Sequence, residues 1–203
     1  MRYNFPYATR GQRIGLLGGS FDPAHEGHVH ITKEALKRFK LDQVWWLISP
    51  KNPLKAKNPN TVSQRIKEAK LLFSHPRVVI TDLEIQLTTQ YTSDTILKLK
   101  KLYPGVSFVW LMGADNIPSF NLWKNWKKIM REVPIGVVDR PGSNYATRKN
   151  KMTESFKGEK IPGAHSKLLA LTEPPAWCYI STSLNHTSSS QIRLVKHTPI
   201  DSN

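Results

Sequence analysis

Short apolar runs alternate with amphipathic stretches along most of the chain, and no other feature restricts its fold as much. Residues 14–17, 43–48, 78–80, 106–112, 135–138 and 176–180 read as buried strands. Between them apolar residues recur at helical spacing. Val29, Ile31, Ala35, Leu36 and Phe39 form one such set, Ile66, Ala69, Leu72 and Phe73 a second, and Ile96, Leu99 and Leu102 a third. Phe120, Trp123, Trp126, Ile129 and Met130 form an aromatic-rich fourth. Strands that alternate with helices build an α/β fold, a doubly wound parallel sheet with helices on both faces. Leu83, Ile85 and Leu87 alternate, which predicts an extended segment. The 203 residues are expected to form a single domain, 1–203, with 1–12 as a loose leader. Residues 143–165 are polar and basic without an apolar period, and are expected to be a flexible excursion.

Composition narrows the chemistry. A single cysteine, Cys178, excludes an internal disulfide and points to a reducing, cytoplasmic setting. It sits in an apolar run and reads as a small buried hydrophobe. No run is long enough to span a membrane, so no membrane partner is expected. The formal charge of +15 fits a solvated lysine surface or a polyanionic partner. Zinc-finger spacing and aromatic RNA-binding motifs are both missing, so small phosphorylated substrates are favoured over nucleic acid.

The richest stretch is Gly18-Gly19-Ser20-Phe21-Asp22-Pro23-Ala24-His25-Glu26-Gly27-His28, on a strand–loop–helix corner. Glycines let the backbone approach a ligand, and the helix that starts near His28 offers unpaired N–H groups and a positive dipole end. His25 and His28, three residues apart, add side-chain donors for an anion. A metal site is the weaker reading, because no third ligand accompanies the pair.

Other positions follow from the same logic. The basic, proline-rich loop 49–60 carries Lys51 and Lys55 within reach of phosphate. Thr61 or Ser63 suits the start of the next helix. Arg65 lies near that start, where a cation gains nothing from the dipole; the misfit hints at a role, though surface placement is the simpler expectation. Tyr91-Thr92-Ser93-Asp94-Thr95 suits a helix N-terminus. Gly113-Ala114-Asp115-Asn116 follows a buried strand, where Asp115 either accepts from ribose hydroxyls or caps a helix. Ser188-Ser189-Ser190-Gln191-Ile192-Arg193 offers hydroxyls, N–H groups and a fixed charge for phosphate. Residues 151–155, Lys-Met-Thr-Glu-Ser, are only faintly like a synthetase loop, with an acidic residue where that loop has lysine.

Gly-Ser-Phe-Asp-Pro followed by His-x-Gly-His resembles the signature of the nucleotidylyltransferase superfamily, and residues 188–193 resemble its second phosphate motif. The stretches 91–95, 113–116 and 138–142, with Trp123, resemble the bacterial nicotinate-nucleotide adenylyltransferases. The resemblance runs from Ile14 to Arg193 and implies a Rossmann-like fold. It implies that His25, His28 and Arg193 are catalytic. Gly18, Gly19, Ser20, Phe21, Gly113, Asp115, Ser189 and Ser190 would hold ATP. Tyr91 and Thr92 would hold the nicotinate carboxylate, with Trp123 stacked on its ring and Lys55 a further phosphate contact. ATP would be a substrate, with Mg²⁺ bound mainly through its phosphates and no protein metal site. A homo-oligomer is compatible with this reading. The loop after the second strand has Leu54 where the family often has His, and a closing apolar segment would begin where the chain ends at Asn203, so a truncated or variant end is expected.

The expected reaction is in-line attack by the phosphate of nicotinate mononucleotide on the α-phosphorus of ATP, releasing pyrophosphate. A sister transferase using nicotinamide mononucleotide or another phosphorylated acceptor is the first alternative. A basic nucleic-acid-binding domain is the distant one.

Overall fold

The computed structural model describes residues 5–50, 60–139 and 150–181. Seven strands pair in one wholly parallel sheet: β1 (Arg13–Gly19), β2 (Gln43–Ile48), β3 (Val78–Thr81), β4 (Ser107–Gly113), β5 (Ile135–Val138), β6 (Lys160–Ile161) and β7 (Trp177–Ile180). Their order across the sheet is β3-β2-β1-β4-β5-β7-β6. The first crossovers run outward from β1 to β3; the chain then returns to place β4 on the other side of β1. That reversal makes β1–β4 the topological switch point, and the carboxyl ends of these strands form the rim where ligands bind in open α/β sheets.

Parallel strands buried on both faces read as near-continuous apolar runs, and β2, Gln-Val-Trp-Trp-Leu-Ile, is an example. Trp45 and Trp46 point to opposite faces and each is wholly buried. Helix α1 (Glu26–Arg38), α2 (Val62–Leu72) and a 3₁₀ segment (Gly163–Leu171) cover one face through Val29, Ile31, Ala35, Leu36, Ala69 and Leu169. Helices α3 (Leu83–Gln86), α4 (Thr92–Leu102), α5 (Ile117–Phe120), α6 (Trp126–Glu132) and α7 (Lys151–Ser155) cover the other. The sheet is therefore doubly wound, as the alternation predicts.

Four expectations need correction. The segment 83–87 is helical rather than extended, with α3 at Leu83–Gln86 and Leu87 as its C-cap: Leu83 and Leu87, one turn apart, are both buried while Ile85 is 45% exposed. The aromatic stripe 120–130 is not one helix: α5 ends at Phe120, Trp123 lies in the turn that follows, and α6 starts only after Asn125, whose φ of 58° is incompatible with a continuing helix. The described part of the expected excursion, 150–165, is ordered. Asn150 caps α7 by accepting from the Met152 and Thr153 N–H groups. Met152 and Phe156 enter the core, and β6 pairs with β7. The described part of the expected loose leader is tied down too, since the Tyr103 hydroxyl donates to Pro6 O at 2.8 Å and Gly11 N–H to Gly105 O at 2.8 Å.

Candidate active site

At the carboxyl end of β1 the chain leaves the sheet through Ser20 and Phe21 and enters α1 at His25. His25 is the N-cap. Its extended backbone (φ −153°) turns the side chain back, and Nδ1 accepts from Gly27 N–H at 3.0 Å. His28, three residues on, reciprocates: its Nδ1 accepts from His25 N–H at 3.2 Å. This is a capping box built from two imidazoles rather than Ser and Glu. A neutral imidazole that accepts through Nδ1 carries its proton on Nε2. The cap thus sets both rings as Nε2–H donors, with ring centroids 4.0 Å apart. The helix starts at Glu26, two residues before the sequence suggests, because His25 rather than His28 closes its first turn.

Behind the pair lies an aromatic column. His28 lies 4.4 Å from the Phe21 ring, and Phe21 stacks on Trp46 at 4.9 Å and 19°. Trp46 Nε1–H donates to the Thr32 hydroxyl, which donates to His28 O, both at 2.8 Å. Phe21 has a φ of 45°, a left-handed conformation that a bulky residue resists by about 1–3 kcal/mol. The stacked rings and a buried arginine over-determine it.

That arginine is Arg65. Sequence reasoning favours a surface position, yet the structure gives 0% exposure. Its Nε–H donates to Asn60 O at 2.8 Å, one terminal nitrogen to Ser20 O and to Ser49 O at 2.9 Å, and the other approaches Pro50 O at 3.5 Å. Burial presses its pKa below the ordinary arginine value, and the nearby Asp22 carboxylate works the other way. The signal that could have found it is its place in the first turn of α2, which holds no acidic residue. Thr61, one of the two expected caps, accepts from Gln64 N–H.

Across the switch point, Gly113 ends β4 and Asp115 folds its exposed carboxylate back over it, with Ile31 of α1 close by. Asp115 lies inside a 3₁₀ turn (Ala114–Asn116) and is not its cap. Gly18 and Gly113 therefore stand on adjacent strands at one rim, as the sequence reading requires. Gly18 also has a packing role. A side chain there would overlap the Trp110 indole, which meets Trp123 edge-on at 6.0 Å and 85°. Trp126 instead packs on Phe156, so structure separates the two tryptophans that the pattern could not.

Tyr91 is the N-cap of α4 through its backbone: its carbonyl accepts from Asp94 N–H at 2.9 Å and Thr95 N–H at 3.1 Å. No side chain caps the helix, so the hydroxyl capping expected of 91–95 is not what forms. Thr92 opens α4, and Lys124 Nζ lies 4.1 Å from the Tyr91 ring centroid. Beneath this corner Glu84 is 5% exposed, and its carboxylate accepts from the Thr95 hydroxyl at 3.2 Å. Burial pushes the Glu84 pKa up to about 7, against that hydrogen bond. Cys178 is wholly buried, and burial pushes its thiol up to about 11, which leaves it inert. Among the described residues no three His, Cys, Asp or Glu side chains form a metal cluster. Also among the described residues, no helix is long and apolar enough to cross a membrane. Lys55, Ser189, Ser190 and Arg193 lie outside the described residues, so their convergence on the histidines stays an expectation.

The cytidylyltransferase-like family model matches residues 16–195. A probable nicotinate-nucleotide adenylyltransferase of Roseobacter denitrificans is 51% identical over 193 residues, covering 95% of this chain and 97% of its own. A Caulobacter protein with the same description is 41% identical over 182 residues, covering 89% and 96%. The nicotinic acid mononucleotide adenylyltransferase of Plasmodium falciparum, solved with NaAD, has the same fold, with a TM-score of 0.68 at 19% identity over 90% of this chain and 83% of that one. Two imidazole donors at the switch point, set by one helix cap, and relatives at half identity over nearly full length lead to one assignment: the chain belongs to the nicotinate-nucleotide adenylyltransferases of the cytidylyltransferase-like family.

Proposed function

We propose that the protein transfers the adenylyl group of ATP to nicotinate mononucleotide, forming nicotinate adenine dinucleotide and pyrophosphate on the route to NAD. A phosphate oxygen of the mononucleotide attacks the α-phosphorus. A new P–O bond forms as the bond to the bridging oxygen breaks, and the electron pair leaves with pyrophosphate. Such a displacement needs positioning and charge neutralisation rather than a protein nucleophile. The observation that carries the reading is the reciprocal His25–His28 cap, which presents two Nε2–H donors at the carboxyl end of β1. They neutralise the oxygens of the reacting phosphates, and the N–H groups of Ser20 and Phe21 assist.

Asp115, beside Gly113, receives the ribose hydroxyls of ATP. The acceptor lies on the α4 face of the sheet, its ring on Trp123 and its carboxylate at the start of α4, which no side chain caps, where Tyr91 and Thr92 stand and the Lys124 ammonium adds a positive charge. Arg193, Ser189 and Ser190 hold the departing pyrophosphate, and Lys55 adds a phosphate contact. Magnesium would be held mainly through the triphosphate oxygens and would supply charge neutralisation there. The single cysteine supports a reducing, cytoplasmic setting for this reaction.

The test is incubation with ATP and either nicotinate or nicotinamide mononucleotide, followed by identification of dinucleotide and pyrophosphate. Nicotinate adenine dinucleotide with stoichiometric pyrophosphate is expected. Preference for the amide would transfer the assignment to the sister enzyme. In His28→Ala turnover falls by about 10²–10³-fold, the usual loss for one preorganised donor. Full turnover in that variant would remove the imidazole from the mechanism.

A further inference from the structure

We propose that Arg65 is a positioning residue for adenylyl transfer: through the Ser20 carbonyl it holds the loop after β1 in its strained form and aims the Phe21 N–H at the nucleotide phosphates. The inference rests on the ATP-dependent reading above.

Three observations carry it. First, the guanidinium gathers four carbonyls from three places: Ser20 after β1, Ser49 and Pro50 after β2, and Asn60 before α2. Side chains on a helix lean toward its N-terminus, so a long residue in the first turn of α2 reaches back to all of them. Four of the five guanidinium N–H groups are used, in a planar fork that lysine cannot reproduce. Second, a peptide unit is planar and its C=O and N–H point in opposite directions. Fixing Ser20 O against Arg65 therefore fixes the Phe21 N–H on the far side of the same unit. Among the described residues nothing accepts from that N–H. A donor whose carbonyl is bonded to a cation is also polarised into a stronger donor. Third, Phe21 keeps a φ of 45°. Stacking on Trp46 and contact with His28 hold its ring, and Arg65 fixes the peptide before it.

The three ion pairs among the described residues do not include Arg65. Its wholly buried charge is met by carbonyl dipoles and by the field of the nearby Asp22 carboxylate.

The experiment compares wild type, Arg65→Lys and Arg65→Ala in three readouts: ATP binding by calorimetry without acceptor, KM and kcat for each substrate, and melting temperature. Arg65→Lys keeps a charge and loses the fork. It is expected to weaken ATP binding and lower kcat/KM for ATP by about tenfold or more, while KM for nicotinate mononucleotide changes less than about twofold. Guanidinium ion at millimolar concentration is expected to restore part of the activity of Arg65→Ala and to leave wild type unchanged. If Arg65→Lys equals wild type, the inference is overturned. It is overturned equally if both KM values rise together with a collapse in melting temperature, or if guanidinium restores melting but not turnover. If wild type binds ATP and makes no dinucleotide, the proposed function fails, and Arg65 is still decided by the ATP affinities of the variants. If wild type does not bind ATP, both fail.

Discussion

Glu84 shows how much of a site one residue can hide from its sequence. It stands in a short helix, and nothing in Asp-Leu-Glu-Ile-Gln marks it as buried. The fold buries it, and a hydroxyl meets its carboxylate: the Thr95 hydroxyl donates to Glu84 Oε1 at 3.2 Å and lies 2.9 Å from the Thr89 hydroxyl. With a folded pKa of about 7 against an ordinary 4.5, the native state holds this proton more tightly than the unfolded chain. Stability from this group is complete below the unfolded value and is lost as pH rises through the folded one. The loss is on the order of 3 kcal/mol by linkage. Glu84→Gln keeps the shape without the charge, so its melting temperature should lose most of the fall that wild type shows between pH 5 and pH 8. Parallel curves for the two proteins would assign the slope elsewhere. Arg65 escaped for the same reason as Glu84: pattern gives a charged residue's place on a helix, whereas burial of the charge depends on the loops that meet it.

At the scale of elements, the strands were legible and the short helices less so. Four-residue apolar runs such as 135–138 have few alternatives in a parallel sheet, and the histidine signature lies where its corner was expected. What misled were segments too short to show a period. Leu83, Ile85 and Leu87 fit alternation and a single helical turn equally well, and only packing of Leu83 and Leu87 on the core decides. In 150–156 two apolar residues, Met152 and Phe156, anchor the element, too few for a periodicity to emerge. The junction of β1 and β4 can be tested directly. In Gly18→Ala the new methyl must displace the wholly buried Trp110 ring, a rigid neighbour. The expected loss is about 1–3 kcal/mol in a denaturant melt, as for other overpacked cores. Because Trp110 supports Trp123, KM for nicotinate mononucleotide should rise as well. An unchanged melt would mean that the ring moves freely and does not brace the acceptor side.

For the whole molecule the charge of +15 needs an account that the fold does not supply. Three ion pairs join described residues, and exposed cations line several helices: Lys33 and Lys37 on α1, Lys98 and Lys101 on α4, Lys127 and Lys128 on α6. An enzyme whose two substrates are both phosphorylated anions gains encounter rate from such a field. A nucleic-acid binder would gain affinity instead, and the two uses respond differently to salt. Steering acts before the complex forms, so kcat/KM for ATP should fall as ionic strength rises from about 0.02 to 0.3 M, as the Debye length shortens from roughly 20 Å to under 10 Å, while kcat stays level. Duplex DNA, added as competitor at 0.15 M salt, should leave the rate unchanged. Inhibition by duplex that vanishes steeply with added salt would instead reveal phosphate-backbone binding through counterion release. The charge would then serve a second, polymeric partner rather than the approach of ATP to the rim between β1 and β4.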